Sequence, residues 1–172
     1  MTITHPTLSA RVQRKYKHEA KIKATYDAAS DKTTLAMWPY DVRTNSDDKT
    51  ETIAIAAGVT FAGKSLDSTP RFVEFGVLSQ SRLGWLFKKD RHLVAVVDGD
   101  RLHLGEMNLI TARTFTIGAT YFREDLDLML PYDVYMKMAN AKKVVLQVGQ
   151  EVMRLAKDHL EALRDLGSQI TR

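Results

Sequence analysis

Two apolar segments, Leu93 to Val97 and Arg101 to Leu104, meet at an Asp98-Gly99 dipeptide. A two-residue type I′ turn needs positive φ at both central positions, and Asp-Gly adopts that geometry with little strain. The pair therefore predicts a β-hairpin, and the fold has to accommodate antiparallel strands. Two registers fit. A two-residue loop sets Leu93, Ala95 and Val97 beside Leu102 and Leu104, and pairs His103 with Val94 and His92 with Gly105. A three-residue loop ending on Gly99 groups Val94 and Val96 with Leu102 and Leu104.

The same period of two, the mark of a half-buried strand, recurs along the chain. Ala20 to Tyr26 and Thr33 to Trp38 flank the turn cluster Asp27 to Lys32 and read as a hairpin that Pro39 ends or leaves as an edge. Asn45 to Lys49 is a short polar loop. Glu51 to Phe61 alternates, with Gly58 suggesting a bulge or bend. After the turn-rich stretch Ala62 to Pro70, Arg71 to Leu78 is a strand, and Ser79-Gln80-Ser81 turns the chain toward Leu83 to Phe87. Thr111 to Thr120 is a further strand candidate. In Asp125 to Leu130, the residues Leu126, Leu128 and Leu130 point inward and Asp125 and Asp127 outward. Pro131 suits a helix start, where its missing N–H has no partner to lose, and a helix follows over Tyr132 to Ala141. Val144 to Val148 is a strand. Beyond it, either one helical stripe runs from Glu151 to the end, or Gly149-Gln150 turns a hairpin into a strand over Glu151 to Leu155 and a helix over Lys157 to Ser168. Strands first and helices late predict an α+β fold, mostly antiparallel β-sheet with about eight short strands and two helices in the C-terminal third.

At 172 residues, one domain buries roughly 70% of the surface its unfolded chain exposes. The absence of cysteine excludes disulfides, thiolate metal sites and a Cys nucleophile. No apolar run approaches the ~18 residues of a transmembrane helix. The N-terminus lacks the apolar segment of a signal peptide, which fits a cytoplasmic protein starting at Met1 or an exported one whose leader has been removed. Charge is unevenly placed. Residues 1 to 24 hold Arg11, Arg14, Lys15, Lys17, Lys21 and Lys23 against Glu19 alone, while the rest holds 19 basic and 20 acidic residues. Residues 1–19 accordingly read as a basic, flexible arm and 20–172 as a single domain. The arm's six cations form a candidate anion-binding set; equally, lysines on an edge strand discourage edge-to-edge pairing.

Gly58-x-x-x-x-Gly63-Lys64-Ser65 matches the phosphate-loop pattern, but such a loop must follow a strand and open a helix. Here Pro70 stops any helix of useful length. His5, His18, His92, His103 and His159 show no metal-binding helical spacing, although His92, His103 and Glu106 are near neighbours across the hairpin. Glu124, Asp125 and Asp127 form an acidic cluster that suits acid–base work or simply lines the polar face of a strand. Ser79 and Ser81 lack the nucleophile-elbow pattern. Arg82 and Trp85, with Lys88, Lys89 and Arg91 nearby, form a candidate ligand-binding pair in which an aromatic is interleaved with cations; the alternative is a core aromatic beside a charged turn. No catalytic set, cofactor motif or metal site is specified.

Several pieces in their order, Tyr26-Asp27, Asp31-Lys32-Thr33-Thr34, Val73 to Leu78 with Ser79-Gln80-Ser81 and Gly84-Trp85, the Asp98-Gly99 turn, Ala139-Asn140-Ala141, and Val144 to Gly149 before a Leu-rich last helix, resemble a group of uncharacterised bacterial β-rich domains with late helices. The resemblance covers most of the chain after residue 20. It implies a small β-rich domain with a hairpin at Gly149-Gln150, leaves a periplasmic or surface location open, and brings no assigned activity.

The resulting expectation is a non-catalytic binding or accessory domain that contacts a protein or small ligand through a sheet face or hairpin loops. One alternative is a nucleic-acid or anionic-surface binder working through the arm. Another is an enzyme using the acidic cluster. The chain leaves homo-oligomerisation open.

Overall fold

Where alternation leaves one face apolar, strands form and bury that face. A computed structural model describes residues 16–44 and 51–170. The strands are β1 (Ile22–Asp27), β2 (Lys32–Thr44), β3 (Glu51–Ala62), β4 (Phe72–Ser81), β5 (His92–Val97), β6 (Asp100–Glu106), β7 (Asn108–Ile117), β8 (Ala119–Pro131), β9 (Val144–Val148) and β10 (Glu151–Arg154). The helices are α1 (Tyr132–Asn140) and α2 (Lys157–Ile170). One sheet has the order β1-β2-β3-β4-β8-β7 and the other β10-β9-β5-β6, and every pairing is antiparallel. The α+β class is therefore the observed one, with ten strands among the described residues rather than about eight. Arg11, Arg14, Lys15 and the polar stretch Asn45 to Lys49 lie outside the described residues.

Both sheets turn one face to a common core. Ile55, Phe75, Val77 and Leu126 come from the larger sheet, and Leu93, Ala95, Leu146 and Val148 from the smaller. Each large side chain buried this way contributes about 1.5–3 kcal/mol. Helix α2 covers β2 and β3, and α1 packs on α2. His159 ties α2 down. Its Nδ1 accepts the Ala156 N–H at 2.9 Å, so Nε2 carries the proton and donates to the Asp41 carbonyl at 2.8 Å. No helix among the described residues is long and apolar enough to cross a membrane.

The turn at Asp98-Gly99 takes the two-residue form, with φ of 50° and 99° and Val97 paired with Asp100. A bulge between Leu93 and Val94 then shifts the register, so that Val94 faces His103 but His92 faces Glu106. The Asp98 carboxylate also accepts the N–H groups of Lys142 at 3.0 Å and Lys143 at 2.8 Å, which locks the α1–β9 connection onto the hairpin.

Four local expectations are corrected. Strand β2 does not stop at Pro39; it absorbs Trp38 and Pro39 as a bulge and continues to Thr44. Gly58 marks no bulge. It pairs regularly with Ala36, and a Cβ there would lie 3.0 Å from the Leu35 carbonyl oxygen, so glycine permits a close strand approach. Ser79-Gln80-Ser81 is strand, not turn, because its alternation continues that of Val73, Phe75 and Val77. Thr111 to Thr120 is two strands, since Gly118 at φ 70° folds the segment into the β7–β8 hairpin. The C-terminal segment takes the hairpin-then-helix form.

Candidate functional site

The loop after β4 carries Arg82 and Trp85, and its path is set by groups underneath it. The Ser81 hydroxyl oxygen accepts the Leu83 N–H at 3.0 Å. Gly84, at φ 129°, lets the chain reverse. Glu124 on β8 then captures the returning backbone, because its Oε2 accepts the N–H groups of Leu86 at 2.7 Å and Phe87 at 3.1 Å. Phe87 is fully buried and anchors the loop in the core. Asp90 closes the far end by accepting the His92 backbone N–H at 2.9 Å.

The loop leaves Arg82, Leu83, Lys88, Lys89 and Asp90 exposed. Leu83 is 76% exposed. Trp85 is half-buried and meets Phe122 edge-on, with ring centroids 5.1 Å apart and planes at 74°. Phe122 is the first β8 residue paired with β4, opposite Ser81. Beyond it the β7–β8 hairpin continues as a two-stranded ribbon. Phe115 and Tyr121 stack on the ribbon at 5.4 Å, and Ile117 at its tip is 75% exposed. Loop and ribbon together present large apolar side chains held by backbone hydrogen bonds.

The acidic cluster is divided between the two faces of β8. Glu124 is buried and points inward. Asp125 points outward and is held by the Arg123 guanidinium at 2.9 Å. Asp127, also outward, accepts from Asn108 Nδ2 at 3.0 Å. It also faces Glu74, whose carboxyl is pushed up by partial burial, by the Asp127 charge and by a hydrogen bond between the two side chains. A carboxyl whose pKa rises on folding is a penalty above that raised value, and the penalty fades as pH falls toward its ordinary 4.5. Glu74→Gln should therefore raise the melting temperature slightly at pH 7, and the gain should vanish near pH 4. A gain that persists unchanged at pH 4 would remove the electrostatic explanation.

Among the described members of the basic arm, Lys17, Lys21 and Lys23 are all exposed. His18, from the same stretch, has a side chain only 2% exposed, 3.0 Å from Asp165 on α2. His92 bonds Asp90 through Nδ1 at 2.8 Å, while His103 lies three residues along the neighbouring strand from Glu106. Gly58 to Ser65 spans the end of β3 and the loop after it, with β4 as the next element.

Sequence reasoning missed the role of Glu124, yet the signal was present. Glu124 shares the parity of Leu126, Leu128 and Leu130, so the alternation that sends those leucines inward sends it inward too. Comparison with family models, curated proteins and solved structures finds no match to this chain.

Proposed function

We propose that this chain is a non-catalytic binding or accessory domain, and that Leu83 and Trp85 are the centre of its contact surface. The observation that carries the reading is an exposed leucine on a loop whose backbone is fastened from below by a buried carboxylate. Large exposed apolar groups in a fixed geometry bind at low entropic cost, because little side-chain or loop freedom remains to be lost. Aromatic and arginine side chains dominate such contacts; Arg82 precedes Leu83 on the loop, and Trp85 meets Phe122. The chemistry fits a protein segment with apolar or aromatic side chains.

The test is a peptide selection against the folded protein, followed by titration of the selected peptides on variants. Leu83→Asp and Trp85→Ala should each weaken binding by about tenfold or more, equivalent to roughly 1.4 kcal/mol. Leu83→Asp should leave the unfolding midpoint in place, because the side chain is in water already. Peptides that bind both variants as well as the parent would place the contact elsewhere. Binding that falls steeply with salt, and that is lost when Arg11, Arg14, Lys15, Lys17, Lys21 and Lys23 are neutralised, would give the role to the basic arm.

A further inference from the structure

The two sheets have four edges, and they are protected unequally. Strand β1 has six residues and carries Lys23 and Asp27. Strand β10 has four, with Glu151 and Arg154. Strand β6 has seven, with Asp100, Arg101, His103 and Glu106. Short length and charge are the usual defences of a sheet edge. Strand β7 is longer and carries less charge. It is ten residues long, Arg113 is its single charge, and among the described residues it pairs with β8 alone. Its first part is blunted by a bulge at Ile110, between the pairs Leu109–Leu126 and Thr111–Asp125. From Thr111 to Ile117 the pairing is regular, so the opposite edge offers an unbroken row of backbone donors and acceptors.

We propose that this edge docks a second copy of the same chain, antiparallel, about a two-fold axis at Thr114. The choice of partner rests on self-complementarity. Centring the axis on Thr114 uses all seven regular residues. Thr114 then faces the partner's Thr114, and Thr111 faces the partner's Ile117. Arg113 faces the partner's Phe115, whose ring stacks on the partner's Tyr121. Within one chain Arg113 sits directly opposite Arg123, a like-charge pair that costs stability. Arg123 is held by Asp125, whereas Arg113 has no ion pair with any described residue. An aromatic face is an attractive place for that guanidinium. Neighbouring registers are worse. An axis at Arg113 sets two guanidinium groups side by side, and an axis at Phe115 leaves Thr111 and Ala112 unpaired.

Sedimentation velocity of the full chain over a concentration series reaching about 100 µM should show a monomer–dimer equilibrium, as expected for a modest interface with a micromolar Kd. Thr114→Lys, which places two ammonium groups on the axis, should give a monomer whose circular dichroism spectrum, and whose melting temperature measured well below the dissociation constant, match those of the parent. The chain lacks cysteine, so Thr114→Cys should form an interchain disulfide on mild oxidation. Ala112→Cys should not, because two copies of that residue lie several residues apart along the paired strands. A parent that stays monomeric throughout the series overturns the proposal, as does a Thr114→Lys variant that dimerises like the parent. Equal cross-linking by both cysteine variants overturns the Thr114 axis. A monomer that takes up an extended peptide at β7 gives the edge to a different partner and overturns it as well.

Discussion

Replacing Glu124 by leucine is expected to destabilise the protein by about 3 kcal/mol. Its Oε2 is the acceptor for two backbone N–H groups, at Leu86 and Phe87. Phe87 is fully buried and Glu124 only 3% exposed, so water has poor access to the vacated donors. Removing the partner of a buried donor costs about 1–3 kcal/mol per donor, more when the lost acceptor is charged. Glu124→Gln retains a carbonyl oxygen in reach and should cost about 1 kcal/mol. Urea unfolding gives both values. The loop supplies an independent readout, since Trp85 is one of two tryptophans and reports alone in a Trp38→Phe background. Its emission should shift to longer wavelength in Glu124→Leu as the ring leaves Phe122. Peptide affinity should fall with it, although Glu124 contacts no ligand in the proposed mode. An unchanged midpoint and an unchanged Trp85 spectrum would show that the loop is held by Phe87 packing alone.

The same residue shows how far the chain could be read in advance. Strands β3, β4, β5 and β8 are legible because one face of each is buried, and burial enforces the alternation. Strand β7 is illegible for the opposite reason. Most of its residues are exposed on both faces, so nothing selects a pattern, and Gly118 had to be recognised as a turn inside an unpatterned run. Pro39 misled because a missing donor usually ends a strand, whereas a bulge let β2 pass through it. Glu124 was visible as an inward carboxylate from parity, but its partners were not. They lie 38 and 37 residues earlier in the chain, and local sequence carries no information about which loop folds over which strand. Arg82 and Trp85 were singled out for their residue types. Leu83 was not, since a lone exposed leucine has no sequence signature.

Tyr135 yields the other large effect. Its side chain is fully buried beside α2, and its hydroxyl donates to the Leu163 carbonyl oxygen at 2.7 Å. Tyr135→Ala should cost about 4 kcal/mol, within the range for truncating a large aromatic in a core that closes only partly around the cavity. Tyr135→Phe keeps the volume and should cost about 1 kcal/mol at pH 7, the net worth of one hydrogen bond. The two variants separate further at alkaline pH. Burial, followed by the Tyr132 and Asp165 charges, holds the phenol well above its ordinary pKa of 10.0. Above pH 10 the unfolded chain therefore loses this proton while the folded chain keeps it, and stability must fall as pH rises. One such group contributes about 1.4 kcal/mol per pH unit. Tyr40, pushed up to about 12 chiefly by its hydrogen bond to Asp158, adds a second share between pH 10 and 12. Tyr26 and Tyr132 are also held above their ordinary value, so Tyr135→Phe deletes one share among several, and its stability should decline less steeply with pH than that of the parent. At pH 11 the gap between the two proteins should close or reverse, from a deficit of about 1 kcal/mol at pH 7. Parallel curves from pH 7 to 11 would mean that the phenol ionises inside the fold, and that the contact between α1 and α2 is looser than its burial implies.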